Sequence, residues 1–382
     1  MEVGGWVIYY IFMLILGVKL GNTAYFSAIQ TNSRQEEKTQ RFVKSSILVA
    51  LLFVFPTFFS RVGDINFSGN LGEQYAVSAA YREANQGWFE YIRIFFSVYL
   101  FGFYPVFIYY YSILRRRWKI LGVIAIALNI ALAVFTGVNK YIFDILMVSL
   151  TIFTLKNFLL CPPNFRNIAK YAIAFVLLSG AALYFFSEGQ STRSGSAAIA
   201  GVNNRLDSTS EYTIDDGLLL MGYSAMTSYL TQGYRVFDFA LEEQFKWTYG
   251  VGNSVFFSRQ VDKLSGSSVS DESYPARVEW HGTDRHINWS TFYLWWASDV
   301  TFIGVGILMA IAGFLYRALE NTLAKNVDIY VLVLYSYMTI GFFYLSANNQ
   351  IFQSGESAVG FLCCLILVVK KRTLRFNVTK TR

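Results

Sequence analysis

The stretch RVEWHGTDRHINWS, residues 277–290, closes a long polar run and leads directly into an apolar segment. The run begins at Glu188 and ends at Asn288, whereas the sequence on either side consists mainly of apolar segments. Both histidines of the chain, His281 and His286, lie within it. A connection of this length inside a compact protein is usually functional or disordered. Its histidines, cations and aromatic residues favour a functional loop that the apolar segments hold in place.

The composition is that of a membrane protein. Of the 382 residues, 54% are hydrophobic and 15% are charged, and the mean hydropathy is +0.38. A bilayer core about 30 Å thick requires about 20 mostly apolar residues per helix, and the closely spaced apolar runs of this chain have that size. Because helices satisfy their own backbone hydrogen bonds in lipid, the sequence predicts an all-α polytopic membrane protein.

The net charge of +7 follows a pattern typical of membrane topology. Lys and Arg cluster in short runs beside apolar segments, at residues 34–44, 115–119, 156–170, 317–325 and 370–375. Cytoplasmic loops collect such runs. The pattern therefore predicts a cytoplasmic C-terminus, with the N-terminus and the long polar loop on the opposite side. It favours the lipid bilayer as a partner and argues against nucleic acid.

About nine transmembrane helices are predicted. Six helices and an outer loop at 61–93 fill residues 1–187, the polar loop with amphipathic helices occupies 188–288, three helices follow in 289–369, and 370–382 form a basic tail. The first apolar segment lacks a basic leader and a cleavage site, which favours a retained helix over a signal peptide. The predicted helices cover residues 6–20, 42–59, 95–114, 120–136, 141–155, 169–186, 289–316, 328–346 and 354–369.

A short outer turn before residue 141 carries one cation, Lys140, and Asp144 follows one helical turn later inside an apolar span. One interpretation is a Lys–Asp pair at helical spacing with its ammonium group reaching the surface. The other is that Lys140 faces a cavity and binds an anionic headgroup, since ionisable residues in spans are costly and usually line functional paths. The sequence leaves both open.

The densest set of functional groups lies in residues 277–288, directly before the helix that carries Asp299. Arginines bind phosphate or pyrophosphate through charge-assisted bidentate hydrogen bonds, Tyr and Trp rings stack on sugars, and a carboxylate or imidazole can act as general base. These groups suit a phosphorylated lipid that carries sugars, although the same stretch is also compatible with a solvated strap beside the membrane. The three cysteines show no metal-ligand spacing, and no metal or cofactor is predicted.

Several runs resemble one family. The runs YLTQGY (229–234), FKWTYG (245–250), NWSTFY (288–293), DVTFIG (299–304) and GFLY (313–316) resemble the outer loop and following helix of Wzy-type O-antigen (oligosaccharide repeat-unit) polymerases. The family commonly shows an Asp-Phe-Gly-x-x-Gly run; this chain keeps Asp299 and Gly304 but has Val300 and Thr301. In GVNK (137–140), Lys140 stands where members often carry the arginine of Gly-x-Arg.

The resemblance implies a GT-C-like glycosyltransferase of the bacterial inner membrane with its active face in the periplasm. Such an enzyme moves a growing glycan from undecaprenyl pyrophosphate onto a fresh lipid-linked oligosaccharide, beside a flippase and a chain-length regulator. The expected pyrophosphate contacts are Lys140, Arg277 and Arg285, with Arg193, Arg205 and Arg235 as secondary candidates. Tyr249 and Asp299 are further substrate-binding candidates, Asp299 being interpreted first as a structural hydrogen-bonding residue. The base candidates are His286, His281, Asp284 and Glu279.

Two other functions share the membrane and the lipid-linked substrate. A flippase is expected to show paired halves with matching helix interruptions, and the sequence shows one dominant outer loop and no repeat. An O-antigen ligase differs in its acceptor alone, which the sequence does not distinguish. A non-catalytic chain-length protein is expected to contain a coiled-coil outer domain, and no heptads occur here.

Overall fold

The computed structural model describes residues 2–27, 33–61, 88–136, 140–160, 231–283, 285 and 290–376, together with residues 169, 173 and 180. They form two compact units. One unit consists of Met1–Gln30 and Tyr229–Arg382, and the other of Thr31–Ser228. The first helix of the chain thus belongs with the C-terminal segments.

Helices dominate both units. In chain order, the elements are α1 Val3–Leu20, β1 Ala24–Phe26, α2 Ser33–Arg61, α3 Trp88–Phe95, α4 Ser97–Tyr110, α5 Arg116–Phe135, α6 Lys140–Thr154, α7 at residues 231–240, α8 Val255–Ser265, α9 Tyr274–Arg277, α10 Phe292–Lys325, α11 Ile329–Phe343, α12 Gly355–Lys371 and β2 Leu374–Phe376. A π-helical turn, Leu155–Leu159, extends α6. The described part of the chain therefore has the all-α character expected of a helical membrane protein.

Four described helices are long and apolar enough to cross a bilayer: Val3–Thr23, Glu36–Arg61, Arg116–Phe135 and Phe292–Lys325. The pair Trp88–Phe95 and Ser97–Ile113, bent by 52°, makes a fifth if it is one span. Helices α6, α11 and α12 match three further predicted spans but have 15, 15 and 17 residues. The span predicted at 169–186 falls largely outside the described residues, so the number nine stays a prediction.

Helices α1 and α10 pack closely because glycines line their contact. A Cβ atom on Gly17 would lie 1.9 Å from the Ala310 carbonyl oxygen, and one on Gly313 would lie 2.3 Å from the Leu14 carbonyl oxygen. Small residues let helix backbones approach in this way. Close approach increases the van der Waals contact between helices, which matters in lipid because the hydrophobic effect does not drive helix association there. Any larger side chain at Gly17 or Gly313 would separate the two helices.

The two helices run parallel. Near the start of α1, the Tyr10 hydroxyl donates to the Phe302 carbonyl at 3.0 Å, and after its end the Asn321 amide donates to the Ala24 carbonyl at 2.9 Å. The beginning of α1 and residue 302 therefore share one end of the unit, called here the cap end. The opposite end is called the basic end.

The basic end is closed by a short antiparallel pairing of β1 with β2, in which Ala24 lies opposite Phe376. Beside it, the buried Arg372 guanidinium lies 2.9 Å from the Asp328 carboxylate. The cations Arg317, Lys325, Lys370, Lys371 and Arg375 also belong to this end of the unit. The side of the membrane on which this end lies stays a prediction.

At the cap end, α10 is broken at Thr301, which has φ 67° and ψ 167°. This backbone region is essentially restricted to glycine. The Thr301 hydroxyl accepts a hydrogen bond from the Gly304 amide at 3.4 Å and so begins the second part of the helix, residues 302–325. The sequence predicted an uninterrupted helix over 289–316 and missed this break. Apolar periodicity carries no information about a single residue with positive φ.

In the second unit, α2 packs against α4 and α5. The Phe42 and Tyr99 rings stack with centroids 5.0 Å apart. A Cβ atom on Gly122 would lie 2.1 Å from the Phe107 ring, so the absence of a side chain there admits that ring. One stacked aromatic pair and one ring that fills the space at Gly122 thus contribute to the packing of these three helices.

Candidate functional site

Asp299, just before the helix break, is the centre of a hydrogen-bonded clamp. Its Oδ1 accepts from the Thr248 hydroxyl at 2.5 Å and the Gly252 amide at 3.1 Å. Its Oδ2 accepts from the Asn253 backbone amide and side-chain amide, both at 2.8 Å. With Asp299 only 6% exposed, these four donors satisfy its buried charge. The Asp299 clamp, consisting of Thr248, Gly252, Asn253 and Asp299, has the bonds expected of a structural carboxylate.

The clamp depends on a tight turn in the run WTYGVGN, residues 247–253. Tyr249 and Gly250 both have left-handed backbone conformations, with φ 56° and 80°, and the Val251 amide donates to the Thr248 carbonyl at 3.1 Å. A Cβ atom on Gly252 would lie 2.0 Å from the Thr248 Oγ1. Glycine at 252 is therefore required for its amide and the Thr248 hydroxyl to reach the same carboxylate oxygen.

Two further segments join the clamp. The Asn349 side-chain amide donates to the Asn253 carbonyl at 2.8 Å, and the Ser254 hydroxyl donates to the Phe352 carbonyl at 2.6 Å. On α7, a Cβ atom on Gly233 would lie 2.9 Å from the Thr291 amide nitrogen. The runs at 231–234 and 245–250 thus pack at the cap end against the start of α10, which contains most of the runs 290–293 and 299–304.

Beneath the clamp lies an aromatic core. The Tyr10 ring lies 4.7 Å from that of Tyr293, and the Phe302 ring lies 5.3 Å from Phe237 and 5.1 Å from Tyr274. Burial raises the pKa of the Tyr274 hydroxyl, and the nearby Arg277 charge partly opposes this. Tyr274 therefore remains a neutral phenol at neutral pH and packs as a core residue.

Arg277 is held by an acidic partner and by the backbone. Its Nη1 lies 3.0 Å from the Glu243 carboxylate, its Nε donates to the Glu272 carbonyl at 3.1 Å, and its guanidinium lies 4.7 Å from the Tyr274 ring centroid. Its buried Nη2 has no hydrogen-bond partner among the described residues. One donor of this predicted phosphate ligand is thus not engaged by the described part of the protein.

Arg285 is also paired. Its Nη2 lies 2.7 Å from the Asp271 carboxylate and its Nη1 donates to the Ser270 carbonyl at 2.8 Å. Glu279 accepts from the Arg285 backbone amide at 3.0 Å and lies 3.4 Å from its Nε. The structure therefore brings a predicted phosphate ligand and a predicted base together as partners of each other.

His281 belongs to an aromatic stack. Its ring lies parallel to Phe239, with centroids 4.1 Å apart and planes at 5°, and 3.5 Å from the Trp280 ring. The Arg235 guanidinium lies 5.6 Å from the centroid of the Phe239 ring. The buried Nε2 of His281 makes no hydrogen bond within the described part of the chain. Arg235, Phe239, His281 and Trp280 thus connect a predicted cation and a predicted base through stacked rings.

Most of the remaining predicted site residues have no described side chain. Lys140 begins α6, but its side chain is not among those described, and it belongs to the other compact unit. Arg193, Arg205, Asp284 and His286 also lie outside the described residues. Tyr249 is exposed on the clamp turn.

The second unit contains an ionic cluster that the sequence interpretation assigned no role. Arg61 binds Glu90 through two contacts of 3.0 and 2.9 Å and donates to the Tyr141 hydroxyl at 2.7 Å. Arg93, 7% exposed, lies 3.8 Å from Glu90 and also donates to the Thr57 hydroxyl. The available sequence signal was the placement of Arg61 and Arg93 at the borders of apolar segments. Tyr141 adjoins Lys140, so the cluster lies beside the predicted Lys140 site.

Among the described residues, no three His, Cys, Asp or Glu side chains are grouped to hold a metal ion. No family model, curated protein or solved structure matches the chain. The geometry and the residue chemistry are therefore the basis for a functional proposal.

Proposed function

We propose that this protein polymerises undecaprenyl-pyrophosphate-linked oligosaccharide repeat units into an O-antigen or capsule-type polysaccharide. The main support is that four runs resembling Wzy-type polymerases pack together around the Asp299 clamp and the helix break. A set of degenerate runs that meet in space is a more specific signal than the same runs scattered over the surface. The scaffold in this proposal is a nine-helix GT-C-like bundle with one long outer loop.

The proposed orientation follows from the charges of the first unit. Its basic end carries Arg317, Lys325, Lys370 and Lys371, while the Asp299 clamp lies at the other end. Because cytoplasmic ends collect Lys and Arg, we place the basic end in the cytoplasm and the clamp in the periplasm. The start of α1, which lies at the cap end, is then periplasmic.

The reaction is a glycosyl transfer. A hydroxyl of the fresh repeat unit attacks the anomeric carbon of the growing glycan, the bond from that carbon to the pyrophosphate oxygen breaks, and undecaprenyl pyrophosphate leaves with the electron pair. The hydroxyl proton passes to a base. Fixed cations stabilise the charge that develops on such a leaving group.

Arg277 and Arg285 are the primary pyrophosphate ligands of the first unit in this proposal, and Arg235 is a secondary one. Lys140, Arg193 and Arg205 belong to the other unit and keep the roles that the resemblance implies. Arg277 and Arg285 each contact a carboxylate in the structure, so binding would exchange that carboxylate for a phosphate, to which a guanidinium group can donate two parallel hydrogen bonds. The Arg277 Nη2 is a donor that needs no exchange with a described residue.

Among the base candidates, His281 is favoured over Glu279. The Glu279 carboxylate is engaged by the side chain and backbone of Arg285, whereas the His281 Nε2 makes no hydrogen bond to a described residue. That nitrogen is buried, so proton transfer requires a local movement that exposes it. His286 and Asp284 remain alternatives within the same loop.

A glycan-ladder assay in cells tests the reaction class. Cells lacking the protein should carry lipid A capped with single repeat units, whereas loss of all surface glycan would indicate a flippase or ligase. Restoring the wild-type protein should restore the ladder.

Substitutions then test the residues. His281→Ala and Arg285→Ala should shorten or abolish the ladder at unchanged protein level, and Lys263→Ala, which removes an exposed cation of α8, should not. Full-length ladders from both loop variants would remove these side chains from the mechanism.

A further inference from the structure

The clamp turn presents aromatic side chains to the surroundings. Phe245 is exposed, Trp247 is 59% exposed and Tyr249 is 68% exposed, while Thr248 between the last two is fully buried. The rings of Trp247 and Tyr249 lie 4.9 Å apart at 42°. Clustered apolar exposure of this kind marks a surface that has a partner.

The exposed rings are held in place. The left-handed conformations of Tyr249 and Gly250 define the turn, and the Thr248 hydroxyl ties it to Asp299 on α10. Trp247 and Tyr249 therefore have a defined level along the axis of α10. Their exposure is a property of the folded clamp.

The clamp turn lies close to the end of the exposed apolar surface of the same unit. On α10, Ile303, Ile307 and Ile311 are exposed at successive helical turns, and on α1 the exposed row begins at Ile8. The Tyr9 hydroxyl donates to the Ile303 carbonyl at 3.3 Å, so both rows begin at the same level. Asp299 precedes Ile303 by four residues, with the break at Thr301 between them, so the clamp lies next to the level at which the two exposed rows begin.

We propose that the segment 245–250 is an interfacial anchor whose partner is the lipid headgroup region of the leaflet at the cap end. Trp and Tyr concentrate at this level of membrane proteins because one part of each ring system is apolar and another forms hydrogen bonds. Interfacial elements bury their apolar faces about 5–10 Å into this zone, and the clamp turn is tied to Asp299, four residues before the first exposed isoleucine of α10. The anchor fixes the clamp turn against the bilayer and does not depend on which reaction the protein catalyses.

Fluorescence quenching in nanodiscs tests the anchor in the full-length protein. The Trp247 signal is obtained as the difference between the wild type and Trp247→Phe, a substitution that keeps an aromatic ring. Lipids brominated near the ester groups should quench this signal about twofold more than lipids brominated at the chain ends, as expected for a headgroup depth. Aqueous iodide should quench it weakly.

A second label controls for changes in folding. In a variant with all cysteines replaced by serine, a nitroxide at Ser268→Cys, on an exposed polar loop, reports water, and one at the lipid-facing Ile307→Cys reports hydrocarbon. A nitroxide at Tyr249→Cys should show an intermediate ratio of oxygen to aqueous-nickel accessibility. A ratio equal to that at Ser268→Cys, or iodide quenching without lipid quenching of Trp247, would overturn the anchor. If Trp247 is protected from iodide quenching solely after a lipid-linked oligosaccharide is added, the anchor is also overturned, and the rings form a glycan-stacking surface.

Discussion

Replacing Thr301 by glycine should make the protein more stable, although glycine inside a helix normally does the opposite. Thr301 occupies a backbone region with φ 67° and ψ 167° that is essentially restricted to glycine, and such a conformation costs about 1–3 kcal/mol. In the proposed resemblance to Wzy-type polymerases, Thr301 takes the position of the first glycine of the Asp-Phe-Gly-x-x-Gly run. The glycine-type conformation is what that proposal leads one to expect at this position.

The magnitude follows from three contributions to the free energy of unfolding. Glycine removes the backbone strain but increases the entropy of the unfolded chain, a loss of about 0.5–1 kcal/mol. The lost hydroxyl contact to Gly304 is long, at 3.4 Å. Replacing a capping threonine by glycine costs only about 0.3 kcal/mol. Thr301→Gly should therefore gain about 1 kcal/mol, dominated by relief of the conformation.

Alanine is the discriminating comparison. Thr301→Ala keeps a Cβ atom, and with it most of the strain, while it loses the cap at a cost of about 1 kcal/mol. The glycine variant should therefore exceed the alanine variant by about 2 kcal/mol. At the lipid-facing Ile307 of the same helix, the order should reverse, with glycine about 1 kcal/mol below alanine.

The measurement is reversible unfolding in mixed detergent micelles, followed by tryptophan fluorescence, since Trp295 and Trp296 adjoin the break. The free energies of unfolding of the glycine and alanine variants are compared at each position. If glycine is less stable than alanine at position 301 as well as at 307, the inferred strain does not exist and the reasoning fails.

Three further predictions concern the clamp, the helix contact and pH. Asp299→Asn should lower the free energy of unfolding by about 3 kcal/mol in the same assay, because an amide nitrogen would face buried donors; a loss below about 1 kcal/mol would contradict the clamp. Gly17→Val should cost about 3 kcal/mol by forcing apart the contact with Ala310, whereas Gly4→Val, whose position has no neighbour near its Cβ site, should change little. Partial burial raises the pKa of Asp262, but hydrogen bonds from the segment 267–270 outweigh it and hold the folded-state pKa below the ordinary 3.8. Wild type should thus be more stable than Asp262→Asn above that value and lose the advantage as pH falls through the lower folded pKa; a difference in unfolding free energy that stays constant over these pH steps would contradict the hydrogen bonds to Asp262.

The candidate site was predictable in residue type and location along the chain, and much less so in its contacts. The polar loop, its cations and its imidazoles are visible as a break in apolar sequence. Their partners are not, since Arg277 pairs with Glu243 and Arg285 with Asp271, choices that depend on how the loop folds back. The Arg61–Glu90 pair was missed for the same reason, because its members come from different helices.

By itself, the sequence determined that this is a helical membrane protein and where most of its described helices lie. The reason is local: apolar length and backbone hydrogen bonding in lipid are satisfied within each segment. Tertiary structure alone decided that α1 packs parallel to α10, that α10 breaks at Thr301, and that Asp299 receives four donors from residues about fifty positions away. A positive φ, a glycine gap and a buried carboxylate's donors leave no periodic trace in a sequence, because each is defined by atoms that meet after the chain has folded.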